Sequence, residues 1–361
     1  MKNSFIELGR FLACLMIFSF HAGGRFHSGW IFVEYFYILS GYFTVRYICN
    51  NEKLLLKDSF QPLRYTFNKI KRLLPYTSVA IIADFFIKSV IYKISVKEML
   101  LYFIYLPQNL MLTTGTGTMP YGAKISDTMY TPHMMADWLW YICALVVAMP
   151  VMIYLLLYLK KKFSGWLVTF FPMLLYGYII VTDGTINGWH DGMKGFLTID
   201  LRALAGLFMG AAAYFLADYI KKKKYTKLGK TIFTIIEITG FTSIVLLASL
   251  SSMHYEIFAI MVFTLVVAIT LSGRSYTSNV HIGMFDYLGS LSLPVYCIHC
   301  LVIMWCNYKG IFTHPGYGLL IILCIAIVCA MVLMLIVNML KKPAKIVYHG
   351  IKKAFIADDG M

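Results

Sequence analysis

Four ionisable side chains lie inside two apolar segments within the first 43 residues of this chain, and they constrain its fold more than any other feature. Glu7, Arg10 and His21 fall in the first of these segments, and Glu34 falls in the second. Each such group costs about 2.5 kcal/mol or more in the hydrocarbon of a membrane. At about 100° per residue, the first three share one face of a helix. That face is therefore predicted to contact a protein interior and not lipid.

The composition is that of a membrane protein. The chain is 60% hydrophobic and 14% charged, and its mean hydropathy is +0.72, above the range of ordinary soluble domains. A net charge of +15 could suggest nucleic-acid binding, but the basic residues form short clusters between apolar runs, as at 160–162 and 221–224. This pattern marks cytoplasmic loops. We therefore expect membrane lipids as partners and no nucleic acid.

The apolar runs predict the number of membrane crossings. Residues 98–113 are short and contain Pro107, Gln108 and Asn109, so they predict a re-entrant or interfacial helix and not a span. Without that segment, 24 of the 32 Lys and Arg residues lie on the cytoplasmic side together with both termini. The ten predicted spans are about 5–22, 30–48, 73–92, 137–159, 164–182, 199–219, 231–250, 256–273, 287–307 and 317–340.

The predicted fold class is therefore all-α. It is a polytopic transmembrane helical bundle of ten spans plus one short re-entrant or interfacial helix. The membrane domain covers residues 1–345, and residues 346–361 form a cytoplasmic tail.

His21 and Glu34 are candidate catalytic residues because both lie near the outer end of the hairpin predicted for the first two spans. A carboxylate at the depth of a histidine can hold the imidazole in one tautomer and stabilise its protonated form, as a general base requires. Spacing alone equally allows a buried ion pair that joins two helices.

Basic residues at the opposite end are candidates for binding an anion. Arg10 lies about 16 Å of helix rise from His21, on the same face. Lys69, Lys71 and Arg72 form a basic run just before the third span. Such cations can bind a phosphate from the cytosol, although a role in topology alone would also explain an isolated basic run.

No metal is expected from the sequence. The eight cysteines are scattered through apolar segments and form no disulfide framework. Cys297 and Cys300 flank His299, but two cysteines in an apolar helix with no second pair are typical of ordinary small hydrophobic residues.

Five segments, in order along the chain, resemble the motifs of the acyltransferase 3 family of integral-membrane acyltransferases. They are IELGRFLACLMIFSFH at 6–21, WIFVEYFYILSGYF at 30–43, KIKRLLPY at 69–76, DWLWYICAL at 137–145 and LGSLSLPVYCIH at 288–299. The third resembles an Arg-x-x-Arg-x-x-Pro motif with Lys69 in the first basic position. The fourth has Cys143 where the family usually has Ser.

The resemblance implies a function and a set of residues that carry it. It implies an enzyme of the bacterial cytoplasmic membrane that moves an acyl group, usually acetyl, from cytosolic acyl-CoA to a hydroxyl of a surface glycan or its lipid-linked precursor. His21 would be the catalytic base and Glu34 its partner. Arg10, Lys69 and Arg72 would bind acetyl-CoA, although Lys69 lacks the bidentate fork of an arginine. Further candidates for a substrate or structural site are Arg202, Ser292, Tyr296 and His299.

A transporter or flippase for an anionic or glycan substrate is the alternative function, with the same charged face lining its path. Such proteins are expected to show paired or inverted repeats and broken spans, and the sequence has neither. A structural scaffold leaves His21, Arg10 and Glu34 together unexplained. Together with the family resemblance, which implies O-acetyl transfer, these considerations favour a membrane O-acetyltransferase.

The predicted topology can be tested at Thr116. If residues 98–113 do not cross, a single cysteine placed at Thr116 in a cysteine-free background will react with an impermeant reagent added to intact cells. Labelling that occurs only after permeabilisation would contradict the prediction of ten spans.

Overall fold

A computed structural model describes residues 3–23, 26–93, 136–187, 198–250, 255–311 and 317–358, with isolated positions between 100 and 110. Within these ranges the regular structure is helical and contains no strand. The α-helices are α1 (Ser4–His21), α2 (Phe32–Lys57), α3 (Gln61–Ile70), α4 (Leu74–Tyr92), α5 (Trp140–Asp183), α6 (Thr198–Lys222), α7 (Lys227–Ala248), α8 (Glu256–Ser272), α9 (Gly283–Tyr308) and α10 (Gly318–Asp358).

Seven of the described helical segments are long and apolar enough to cross a membrane, and two shorter apolar helices accompany them. The prediction of an all-helical, multi-span protein is therefore confirmed. The count of ten crossings and the side on which each terminus lies stay predictions. The predicted re-entrant segment at 98–113 and Thr116 lie largely or wholly outside the described residues.

The helix α5 differs from the sequence prediction. The predicted spans 137–159 and 164–182 belong to one helix of 44 residues, Trp140–Asp183. A straight helix of this length would extend about 66 Å, roughly twice the hydrocarbon thickness of a bilayer. Its apolar parts remain separate, at Asp137–Tyr158 and Leu167–Asp183. The basic run between them contains no proline, so nothing in it compels the helix to end. The helix α10 likewise continues past the predicted domain boundary at residue 345.

The helix α1 is fixed at its start and packs closely against α9. The Asn3 side chain caps α1 by accepting a hydrogen bond of 2.9 Å from the Ile6 amide. A Cβ on Gly289 of α9 would lie 2.2 Å from the Glu7 carboxylate of α1, so this approach requires glycine. The Cys14 thiol also donates to the Ser292 carbonyl at 3.2 Å. These contacts set the register in which His21, at the end of α1, faces α9.

The helices α2 and α6 also pack backbone to backbone through glycines. A Cβ on Gly41 would lie 2.1 Å from the Leu207 carbonyl oxygen, and one on Gly210 would lie 2.2 Å from the Ile38 carbonyl oxygen. Glycine at both positions therefore allows the two helices to touch along their backbones. The side chains of Glu34 and Arg202 meet across this contact.

Glu34 and Arg202 form an ion pair in the protein interior. The two side chains are 0% and 1% exposed, and Arg202 Nε lies 2.5 Å from Glu34 Oε1. The hydroxyl of Tyr176 donates to the other carboxylate oxygen, Oε2. Both oxygens of Glu34 therefore have a partner, as a buried carboxylate needs.

Both terminal nitrogens of the Arg202 guanidinium also have a hydrogen-bond acceptor. Its two terminal nitrogens donate to Asn187 Oδ1 at 3.1 Å and to the Trp30 carbonyl at 3.4 Å. Its Cζ atom lies 5.3 Å from the ring centroid of Trp30 and 5.2 Å from that of Trp140, so both indoles stabilise the charge through cation–π contacts. Arg202 therefore joins segments from α2, α5 and α6 and the chain just before α2.

Removing either charge of this pair is expected to destabilise the protein strongly. Glu34→Gln or Arg202→Gln leaves an uncompensated charge in the interior, which costs about 3–5 kcal/mol in buried pairs. The double variant should lose less stability than the sum of the single losses. Thermal unfolding of the purified proteins in detergent measures this.

The exposed pair Asp218–Lys222 provides the matched control for that experiment. Its atoms lie 2.6 Å apart, but the side chains are 44% and 72% exposed. Lys222→Gln should therefore leave the melting temperature almost unchanged. Melting temperatures for the Glu34 and Arg202 variants equal to that of Lys222→Gln would contradict the structural role of the buried pair.

Candidate active site

A cavity of about 260 Å³ lies between α1, α2, α3, α5 and α9. Its walls are mainly apolar, with Leu39 and Phe43 of α2, Leu145 and Met149 of α5 and Ile70 of α3 among them. Its polar lining comes from five helices and is made of Glu7, Arg10, Ser40, Lys69, Tyr141, Ser292 and Tyr296. A mainly apolar cavity with a few convergent polar groups is typical of a small-molecule site.

Arg10 contributes a cation that is only partly neutralised. One terminal nitrogen of its guanidinium forms an ion pair of 2.9 Å with Glu7, one turn earlier on α1. The Arg10 side chain is 33% exposed, while that of Glu7 is 13% exposed. The remaining guanidinium donors give Arg10 the capacity to bind a second anionic group while Glu7 holds it in place.

Lys69 contributes a second cation to the same cavity. Its ammonium donates to the Ser40 carbonyl at 3.4 Å and to Thr44 Oγ1 at 3.3 Å, and it lies 5.8 Å from the centroid of the Tyr65 ring. No carboxylate pairs with it among the described residues. Burial lowers the pKa of Lys69 to about 8, because the charged form loses solvation. An anion bound beside Lys69 would stabilise the charged form and raise this pKa.

The structure brings together some of the predicted donor-binding residues and not all of them. Arg10 and Lys69 line one cavity although they belong to different helices. Arg72 is exposed and is not part of the lining. Ser292 and Tyr296, predicted only as candidates for a substrate or structural site, line the cavity from α9.

A row of rings connects this cavity with His21. The ring centroids of Tyr141 and Tyr296, which both line the cavity, are 5.9 Å apart. The Tyr296 ring lies 5.6 Å from His299, and the His299 ring lies 5.0 Å from His21. The late motif therefore supplies both the end of the cavity and the neighbour of His21.

The segment before α5 is anchored on both sides of Asp137. The Ala136 amide donates to Asp84 at 3.0 Å, and the Trp138 indole donates to the Cys297 carbonyl at 2.9 Å. Asp137 lies between these two anchors and is close enough to act electrostatically on His21. This neighbour was not predicted from the sequence, because Asp137 is 116 residues away along the chain.

Glu34 has a different partner from the predicted one. The sequence predicts His21 as its partner, but the Glu34 carboxylate is bound by Arg202 and Tyr176. Glu34 lies in the first turn of α2, on the side that packs against α6, and the guanidinium of Arg202 is a better partner for a desolvated carboxylate than an imidazole. His21 is instead exposed and contacts His299 and Phe20.

Comparison with known proteins identifies the family. A profile of the acyltransferase 3 family, described as an acyltransferase domain, matches residues 3–339. The same comparisons found no match among curated proteins and none among solved structures. The match covers all five motifs and every candidate site residue named above. This multi-span membrane protein belongs to the acyltransferase 3 family.

Proposed function

We propose that this protein is an O-acetyltransferase of the bacterial cytoplasmic membrane. It takes an acetyl group from cytosolic acetyl-CoA and transfers it to a hydroxyl of a surface polysaccharide or of its lipid-linked precursor. Acyl transfer itself follows from family membership. The identity of the donor, that of the acceptor and the location in the bacterial cytoplasmic membrane are proposed in addition.

The observation that carries the proposal is the shared cavity of Arg10 and Lys69. Two cations from different helices line the charged part of a mainly apolar cavity. This combination suits a donor with anionic phosphates at one end and an uncharged arm at the other. Arg72 is exposed and outside the lining, and in this proposal it contacts the same phosphates from the cytosol. The rings of Tyr296 and His299 lead from the cavity to His21.

In the proposed reaction, His21 acts as the general base. It accepts the proton of the acceptor hydroxyl as the hydroxyl oxygen forms a bond to the thioester carbonyl carbon. The carbon–sulfur bond then breaks, and the CoA sulfur takes the proton from the His21 imidazolium. Asp137 stabilises that imidazolium while it exists, because it acts on His21 electrostatically.

Glu34 has an indirect role in this proposal. Through Arg202 it holds α2 against α6, and α2 supplies Ser40 and other residues to the cavity wall. Loss of Glu34 should therefore lower activity through loss of folded protein, and not by changing the proton transfer.

His21→Ala should abolish acyl transfer while the protein still inserts and binds donor. Loss of one well-placed general base typically costs roughly 10²- to 10⁴-fold in rate. Donor binding should persist because Arg10 lies about 16 Å away along α1. The acetyl content of purified surface glycan from a complemented deletion strain measures transfer, and membrane levels of each variant measure insertion.

His27→Ala is the matched control for this experiment. His27 is also exposed and follows α1 closely, but among the described residues it does not line the cavity and has no ring contact with His299. It should support normal acetylation. Wild-type acetylation by a normally expressed His21→Ala protein would refute the mechanism.

Donor binding should weaken above pH 8 because of Lys69. The pKa of Lys69 in the free protein is about 8, and a bound phosphate raises it. Below that pH the amine is already charged, so pH should have little effect through this group. Above it, binding must be accompanied by proton uptake, and the affinity should fall by up to about tenfold per pH unit. Equilibrium binding of acetyl-CoA between pH 6.5 and 9.5 (roughly spanning this pKa) measures it.

Lys69→Arg provides the decisive variant, since arginine stays charged throughout this range. In this variant, the affinity for acetyl-CoA should stay constant as the pH rises above 8. Lys71→Arg, an exposed neighbour outside the cavity lining, should leave the pH dependence as in the wild type. The same pH dependence in Lys69→Arg and in wild type would exclude Lys69 as the titrating group.

A further inference from the structure

A second imidazole, that of His299, lies beside the proposed base. The ring centroids of His21 and His299 are 5.0 Å apart at an interplanar angle of 54°. One ring nitrogen of each histidine and the Cys300 sulfur lie within 4.8 Å of one another. The two histidines come from α1 and α9, which pack closely through Gly289 and Cys14.

The hydrogen bonding of His299 fixes its tautomer. His299 Nδ1 lies 2.7 Å from the Tyr296 carbonyl oxygen, which can only accept. Nδ1 therefore carries the proton in the neutral ring, and Nε2 carries a lone pair. An imidazole held in this way by a backbone carbonyl presents one defined acceptor atom to its surroundings.

That acceptor atom is buried and has no partner. His299 is 1% exposed, and its Nε2 makes no hydrogen bond with any residue that the structure describes. A buried polar atom without a partner is unfavourable, and in native proteins it calls for an explanation. Two side chains grouped with it can donate a hydrogen bond, His21 and Cys300, and His21 is the stronger donor.

His21 in turn needs a group that orients it. A histidine that acts as a base through one nitrogen needs its other nitrogen held by an acceptor, so that the lone pair faces the reacting hydroxyl. Glu34 does not fill this role, because Arg202 and Tyr176 bind both of its oxygens.

We propose that His299 is the positioning residue for His21. Its Nε2 accepts a hydrogen bond from one N–H of His21, and this leaves the lone pair of the other nitrogen free for the acceptor hydroxyl. This inference rests on the proposed function. The hydroxyl proton moves to the free nitrogen of His21 and later to the CoA sulfur. His299 therefore keeps the same protonation state throughout. Hydrogen bonds of this kind often shorten only when substrate is bound.

Two amide variants separate this role from a merely structural one. His299→Asn retains a donor near the position of Nδ1, and so the hydrogen bond to Tyr296, but it loses the acceptor that faces His21. His299→Gln extends far enough to place an amide oxygen near the position of Nε2. A positioning role predicts that Gln rescues turnover and Asn does not. A structural role predicts the reverse order.

The experiment measures kcat, the KM for acetyl-CoA and donor affinity with the full-length protein in detergent or vesicles. His299→Asn should lose about tenfold in kcat, the typical effect of one lost hydrogen bond, with donor affinity unchanged. His299→Gln should retain most of the kcat. Cys306→Ser, at another buried position on α9, should behave as wild type and serves as the packing control.

Several results would overturn the inference. Wild-type kcat in His299→Asn, or equal losses in both variants together with lower melting temperatures, would leave His299 as a structural residue. Loss of activity on treatment with a chelator, with recovery on adding Zn²⁺, would make the three-residue cluster a metal site instead. If the wild-type protein transfers no acetyl group, the proposed function fails as well. Normal transfer with an unaffected His299→Asn refutes only the inference about His299.

Discussion

The buried ion pair between Glu34 and Arg202 is the interaction on which the arrangement of the central helices depends. Two charges out of contact with solvent are tolerated only if each remaining donor and acceptor is also satisfied. Tyr176 and Asn187 supply the additional hydrogen bonds. The pair therefore specifies one relative position of α2 and α6, since a shift of either helix would leave a charge without its partner.

The close packing of α2 against α6 also requires glycine at two positions of α6, Gly206 and Gly210. A Cβ on Gly206 would lie 2.6 Å from the Tyr37 Cβ and 3.1 Å from Glu34 Oε2. A Cβ on Gly210, one turn later, would collide with the backbone of α2. Close backbone approach and a short ion pair are thus two consequences of one packing arrangement, and α2 then carries Ser40 and Phe43 to the cavity.

The helix α9 connects the two halves of the proposed reaction. Ser292, Tyr296 and His299 are spaced at i, i+4 and i+7, so they fall on one face of the helix. The first two line the cavity that holds Arg10 and Lys69, and the third contacts His21. In the proposed reaction, the donor's charges would be recognised at a distance from the proton transfer. A change in donor affinity and a change in turnover should therefore be separable by mutation.

Several features of this protein follow from the sequence by itself. Apolar runs interrupted by basic clusters establish a helical protein of the membrane, because hydropathy and charge act locally along the chain. The polar face of α1 and the five motifs, read together, indicated the family and the residues worth testing, including His21, Arg10 and Lys69. None of this requires knowledge of which helices touch. The continuous helix α5 is the local feature that was missed, since a basic run permits a turn without requiring one.

Only the tertiary structure decided how those residues are paired. The positions of Glu34 and His21 in the sequence predict that they lie at a similar depth in the membrane. Glu34 nevertheless faces α6, where it pairs with Arg202, 168 residues away. His299 likewise contacts His21 from a distant segment, and Asp137 acts on it electrostatically from another. The physical reason is that a buried charge pairs with the opposite charge that packing brings within hydrogen-bond distance of it on the neighbouring helix. Sequence spacing does not define that contact between separate helices.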